Sequence, residues 1–218
     1  MPSNSTITYA IAEELKQELG IPTSNESEDI SIELALESVS RSVEDYTHRR
    51  FHTGIATSTA YLGALETRYY TAECASHLRV DDLLQLAALR TDNNGNSSYD
   101  TTHSTALVYL TPFNAALDDQ PYTDLILRRN ASACFPVAVP RGVQITGVFG
   151  FCPTTAVLPV IKKATLLQAA MDFRAKDSPM GAVGGRDFTM TMQQSYISGG
   201  LHPFVRRMLD PYRIRVVA

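Results

Sequence analysis

The sequence predicts an α+β protein in which a helical body, built from the two ends of the chain, carries an inserted antiparallel β lobe. Three observations carry that expectation. Apolar residues recur at helical spacing before about residue 50, and short β-rich runs separated by turn residues occupy about 57 to 151. Helical periodicity then returns after Pro159. The expected division is a helical body of residues 1–54 and 152–218, with a C-terminal arm and tail, and a β-rich lobe of residues 55–151.

The body is expected to hold two N-terminal helices, one long apolar helix and a short C-terminal helix. Ile7, Ile11, Leu15 and Leu19 recur every fourth position, and Gly20 and Pro22 stop the first helix. Ile32, Leu36, Val39, Val43 and Tyr46, with Ala35, mark one stripe of a second helix over about 28–49. Its other positions are mostly Glu, Ser, Asp and Arg, so that side faces water or a polar partner.

In the middle of the chain, strands are expected at Thr57–Leu62, Arg68–Ala72, His77–Val80, Leu84–Thr91, Ala106–Leu110, Asp124–Arg129 and Val143–Phe149. Asn94-Gly95 supplies the positive φ angles that a hairpin turn requires. Pro112, Pro121, Pro136 and Pro140 fall between the runs, where a missing N–H breaks no ladder.

After Pro159, the residues Val160, Ala164, Leu167 and Met171 keep helical spacing, and Ile161, Leu166, Ala169, Ala170 and Phe173 widen the apolar surface. A helix of that kind has to be covered on more than one side, by the β lobe or by a neighbouring subunit. A glycine- and proline-rich stretch, 178–185, then reads as a loop or hinge. Phe188, Met190 and Met192 alternate with Thr189 and Thr191 within the Gly181 to Gly200 segment, a period-two pattern suited to a strand or an extended arm. Pro203 suits the first turn of a last helix, Phe204–Leu209, which Pro211 ends.

Composition narrows the function classes. With 44% hydrophobic and 19% charged residues, the chain is that of an ordinary globular protein. The N-terminus lacks a basic and an apolar signal region, and no run approaches the roughly 18 apolar residues that span a bilayer. Cys74, Cys134 and Cys152 form no CxxC, which disfavours a disulfide framework or a structural zinc. A net charge of −4 argues against a DNA-coating protein. The charge is also polarised. Residues 1–45 hold ten acids against Lys16 and Arg41, whereas residues 201–218 hold four arginines against Asp210.

The search for chemistry yields no catalytic, cofactor or metal set. There is no GxSxG, Walker loop, GxGxxG or HExxH. His48 and His52 are at i, i+4 spacing, but a helix end falls between them and no carboxylate completes a set. Asp81-Asp82 and Asp118-Asp119 are adjacent pairs, and neighbours on a strand point to opposite faces. The expectation is a non-enzyme. Two other readings are open: a β-rich ligand- or carbohydrate-binding module using Tyr61, Tyr69, Tyr70 and Tyr99, and a small hydrolase using Cys152 or His77.

The order of segments resembles the head-tail connector (adaptor) family of tailed bacteriophages over nearly the whole chain. The resemblance rests on 43–51 (VEDYTHRRF), 78–83 (LRVDDL), 110–114 (LTPFN) with 120–122 (QPY), 143–151 (VQITGVFGF), the helix Ile161 to Arg174, and 208–213 (MLDPYR). Within these segments the glycines of Ile145-Thr-Gly-Val-Phe-Gly permit a close approach or a bend. Tyr46 and Phe51 are expected to anchor the second helix to the core, and Arg49 and Arg50 to suit the negative end of its dipole.

The resemblance implies a virion protein at the head-tail interface, assembled in the host cytoplasm. Its partners would be the portal protein, copies of itself in a ring of about twelve, a tail-side stopper or tail-completion protein, and passing double-stranded DNA without sequence-specific contact. No membrane and no cofactor is implied. Arg206, Arg207, Tyr212, Arg213 and Arg215 in the tail, with Phe188, Met190 and Met192 in the arm, are the expected partner-binding residues.

Overall fold

A computed structural model describes residues 7–53, 63–128, 133–152, 157–176 and 200–214. The chain divides into two compact units, Met1–Arg49 with Val157–Ala218 and Arg50–Ala156. Among the described residues there are four α-helices and a six-stranded antiparallel sheet.

The helices are α1 (Ala12–Leu19), α2 (Asp29–Thr47), α3 (Pro159–Lys176) and α4 (Pro203–Leu209). Helix α1 starts later than the periodicity predicts. Ahead of it the Tyr9 N–H donates to Ser40 Oγ of α2 at 3.1 Å, so this backbone group finds its partner on a neighbouring helix. Gly20 ends α1 at φ 73°, in the left-handed region that favours glycine. Helix α2 buries Ile32, Leu36, Val39 and Val43, the expected stripe, and ends at Thr47 with His48 left-handed at φ 55°.

The expected helical body with one long apolar helix is corrected. Helices do not dominate the molecule, because the sheet forms the greater part of a unit of its own. Helix α3 is not broadly apolar either: Lys163, Asp172 and Arg174 are exposed, and the polar Thr165 and Gln168 hold buried positions. Ala164, Ala169 and Ala170, which widened the expected apolar surface, are buried beside these polar residues. Helices α1, α2 and α4 all pack on α3, so its own unit covers it on several sides.

The strands are β1 (Glu66–Tyr70), β2 (His77–Thr91), β3 (Thr101–His103), β4 (Val108–Thr111), β5 (Tyr122–Leu127) and β6 (Val143–Phe149). Their order is β1-β6-β2-β5-β4, with β3 also paired to β2. The two runs expected at 77–80 and 84–91 are one 15-residue strand. Its register shifts between Arg79 and Leu83, Leu83 and Gln85, and Leu86 and Ala88, so bulges absorb the Asp81-Asp82 interruption. The first half of β2 pairs with β5 and the second with β6. Leu78, Leu83, Leu89, Leu125, Ile145 and Phe149 build the core of this unit. The expected strand at Thr57–Leu62 lies outside the described residues.

The Asn94-Gly95 hairpin forms between β2 and β3, with Thr91 opposite Thr101. Its loop is wider than a two-residue turn. The Asp92 carboxylate accepts the backbone N–H groups of Asn94, Gly95 and Ser97 at 3.0, 2.8 and 2.7 Å.

Candidate functional site

Two kinds of surface stand out in the helical unit, one acidic and one basic. The N-terminal bases are consumed internally: Lys16, 3% exposed, pairs with Asp29 at 2.5 Å, and Arg41 pairs with Glu44 at 2.9 Å and donates to the Ile7 carbonyl at 2.7 Å. Glu13, Glu18, Glu26, Glu33 and Asp45 remain exposed, which leaves the acid excess on the surface. Glu14 is drawn inward by Lys162 of α3, at 2.7 Å, and that hydrogen bond holds its carboxyl below the usual range.

The basic surface is set by α4 and the 3-10 turn that follows, Asp210–Tyr212. His202 caps α4 by accepting the Phe204 N–H at Nδ1, 3.2 Å, and its own N–H donates to Gln168 Oε1 of α3 at 2.8 Å. Gln168 Nε2 in turn donates to Asp172 at 2.9 Å. At the other end, the Tyr46 hydroxyl donates to Asp210 at 2.5 Å, the Arg213 guanidinium lies 5.1 Å from the Tyr46 ring centre, and the Ile214 N–H donates to the Thr47 carbonyl at 2.9 Å. The bond to Asp210, with burial second, pushes the Tyr46 phenol above its ordinary value.

Of the expected partner-binding residues, the structure places Arg206 half-buried on α4, Arg207 exposed on α4, Tyr212 half-buried in the turn and Arg213 exposed against Tyr46. Arg215, Phe188, Met190 and Met192 lie outside the described residues, as does nearly all of the Gly181 to Gly200 arm. Tyr46 ties the tail to α2, a role different from the core anchor expected of it. Arg49 and Arg50 follow the end of α2, and Arg50 pairs with Glu66, which also binds Arg68 at 3.0 Å.

Sequence reasoning missed the exposed apolar residues. Ile30 and Leu34 of α2 are 84% and 66% exposed, and Phe204 of α4 is 54% exposed. The signal was present: Ile30 and Leu34 fall two residues off the buried stripe through Ile32 and Leu36. In the β unit, Phe113 and Leu117 project from the loop between β4 and β5, with Phe113 edge-on to Tyr109 at 5.9 Å.

The residues named for rival functions are dispersed or engaged. Tyr69 and Tyr99 pair at 5.5 Å, but Arg141 covers Tyr69 at 4.5 Å and accepts the Tyr99 hydroxyl on its carbonyl at 2.9 Å. Tyr70 donates to Asp81 at 3.0 Å, and Tyr61 lies outside the described residues. Cys152 is buried, whereas His77 is exposed beside Asp124 at 3.1 Å. Asp81 pairs with Arg68 at the surface while Asp82 is buried, as strand alternation requires. Among the described residues no helix is long and apolar enough to cross a membrane, and no group of three or more His, Cys, Asp or Glu could hold a metal.

No protein-family model matches the chain, and no curated protein matches it significantly. Among solved structures, the chain is similar to a chain described as the neck of an empty GTA particle computed with C6 symmetry. The TM-score is 0.54 at 18% identity, covering 96% of this chain and 92% of that one. This likeness shows a shared fold along nearly the whole length of both chains.

Proposed function

We propose that the chain is a structural neck protein of a tailed phage-like particle, acting as a head-tail adaptor. In this reading it joins the portal as a ring, extends the DNA channel and offers a docking surface to a tail-side stopper or tail-completion protein. The observation that carries it is the near-full-length fold likeness to a chain in the neck of a particle. A ring of about twelve copies is compatible with a neck computed with C6 symmetry and with head-to-tail contacts that close by rotation. The surface fits association: acids and arginines are segregated, and large apolar side chains are exposed in both units. In this role the chain works by shape and transforms no molecule.

The test uses purified particles and the purified chain. The protein is expected in particles by mass spectrometry, and negative-stain images with portal are expected to show stacked rings. Reversing Arg206, Arg207, Arg213 and Arg215 to Glu is expected to leave filled heads unjoined to tails. Absence of the protein from particles would overturn the reading, and normal joining by the variant would remove the tail's part in it. Selective glycan binding would favour the β-rich ligand-binding alternative.

A further inference from the structure

We propose that the N-terminal half of α2 and the outer face of α4 are the two sides of one contact between adjacent copies of this chain. Ile30 and Leu34 lie one turn apart on one face of α2, with Glu33 exposed beside them and Glu37 half-buried a turn further on. On α4, Phe204 and Arg207 are exposed at i, i+3 spacing, with Arg206 half-buried next to them. One surface is apolar and acidic, the other apolar and basic. Each offers what the other lacks.

Within a single subunit the two do not cover each other. The Tyr46–Asp210 and Ile214–Thr47 hydrogen bonds hold the C-terminal end of α4 at the C-terminal end of α2. Leu34 lies about 18 Å further up the α2 axis at about 1.5 Å per residue, whereas α4 is only about 10 Å long. Both patches accordingly stay exposed, with Ile30 at 84%, Leu34 at 66% and Phe204 at 54%. A second copy brings its basic patch to the acidic patch of the first and leaves its own acidic patch open for a third. Because the two surfaces differ, the contact repeats head to tail, and a closed ring satisfies every copy. The inference rests on the ring of the adaptor reading and names the faces that form it.

Cysteine pairing in the full-length chain tests it. Leu34→Cys and Phe204→Cys are made separately with Cys74→Ser and Cys134→Ser, since both of those native thiols are exposed. Mixed under mild oxidation, the two variants are expected to form the 34–204 disulfide in preference to either homodisulfide. A chain carrying both substitutions is expected to give a ladder ending in a covalent ring. Glu33→Arg or Arg207→Glu is expected to reduce the cross-link, and the two combined to restore it, with circular dichroism unchanged throughout. Homodisulfides at statistical proportions, or cross-linking of the Leu34→Cys variant to portal, would overturn the proposal. Rings visible by negative stain without the 34–204 disulfide would sink this contact and leave the adaptor reading standing. Neither rings nor cross-links at high protein concentration would sink both.

Discussion

Asp92 shows how one side chain can organise a loop. Burial opposes its charge, but the backbone N–H groups of Ser97, Asn94, Gly95 and Asn96 outweigh that and lower its pKa. Because the folded value lies below the unfolded value of about 3.9, its contribution is complete above that pH and is lost as pH falls through the folded value. Protection of amides 94–97 against exchange, taken relative to the intrinsic rate at each pH, is therefore expected to fall on acidification below about pH 4. In Asp92→Asn the loop is expected to exchange faster at neutral pH and to lose most of this acid dependence, as NMR would show. An unchanged pH profile in the variant would remove the carboxylate from this role. The sequence flagged Asn94-Gly95 as the turn but not Asp92, because an acceptor buried under a loop has no signature beyond its residue type.

At the scale of elements, two positions decide how pieces join. A Cβ at Gly147 of β6 would sit well inside van der Waals contact with the Gln85 backbone oxygen of β2, where only a shift of the strands could relieve it. Gly147→Ala is expected to destabilise the β unit by at least about 1–3 kcal/mol, read by denaturant unfolding. Stability equal to that of the parent chain would mean that β2 yields easily at its bulge. A Cβ at Gly150, where φ is 138°, would lie as close to the His52 carbonyl oxygen, so both glycines of the 145–150 motif act as the sequence led us to expect. The second position is Gln168, 6% exposed, which accepts the His202 N–H at the start of α4. Gln168→Leu leaves that donor without its acceptor and is expected to cost about 1–3 kcal/mol. Loss of α4 protection in hydrogen exchange before the rest of the helical unit would locate the defect. Periodicity flagged α3 as a packing helix but could not show that the polar Thr165 and Gln168 share its buried positions.

Across the whole molecule, charge separation is the property that association would use. Raising salt from about 0.1 M to about 1 M shortens the screening length from about 10 Å to about 3 Å. If rings form through an acidic and a basic face, sedimentation is expected to show them weakening over that range, while the apolar groups at the same contact preserve residual association. Self-association that strengthens with salt would assign the contact to apolar burial alone. The fold likeness spans both units, so the neck chain and this one share the arrangement of a helical unit and a sheet unit along the chain.

The sequence by itself determined the order of helical and β segments, the stripe that α2 buries, the glycines within and just after β6 and the polarity of charge between the two ends. Each of these is local or a matter of composition, and spacing or residue type is enough to reveal it. Only the tertiary structure decided that β2 runs through its acidic pair, that α3 is flanked by three helices, that Tyr46 binds the tail, and that Ile30, Leu34 and Phe204 stay outside. Those outcomes depend on which distant segment supplies a hydrogen-bond partner or covers a face. Residues far apart in sequence settle that together, and no window along the chain contains it.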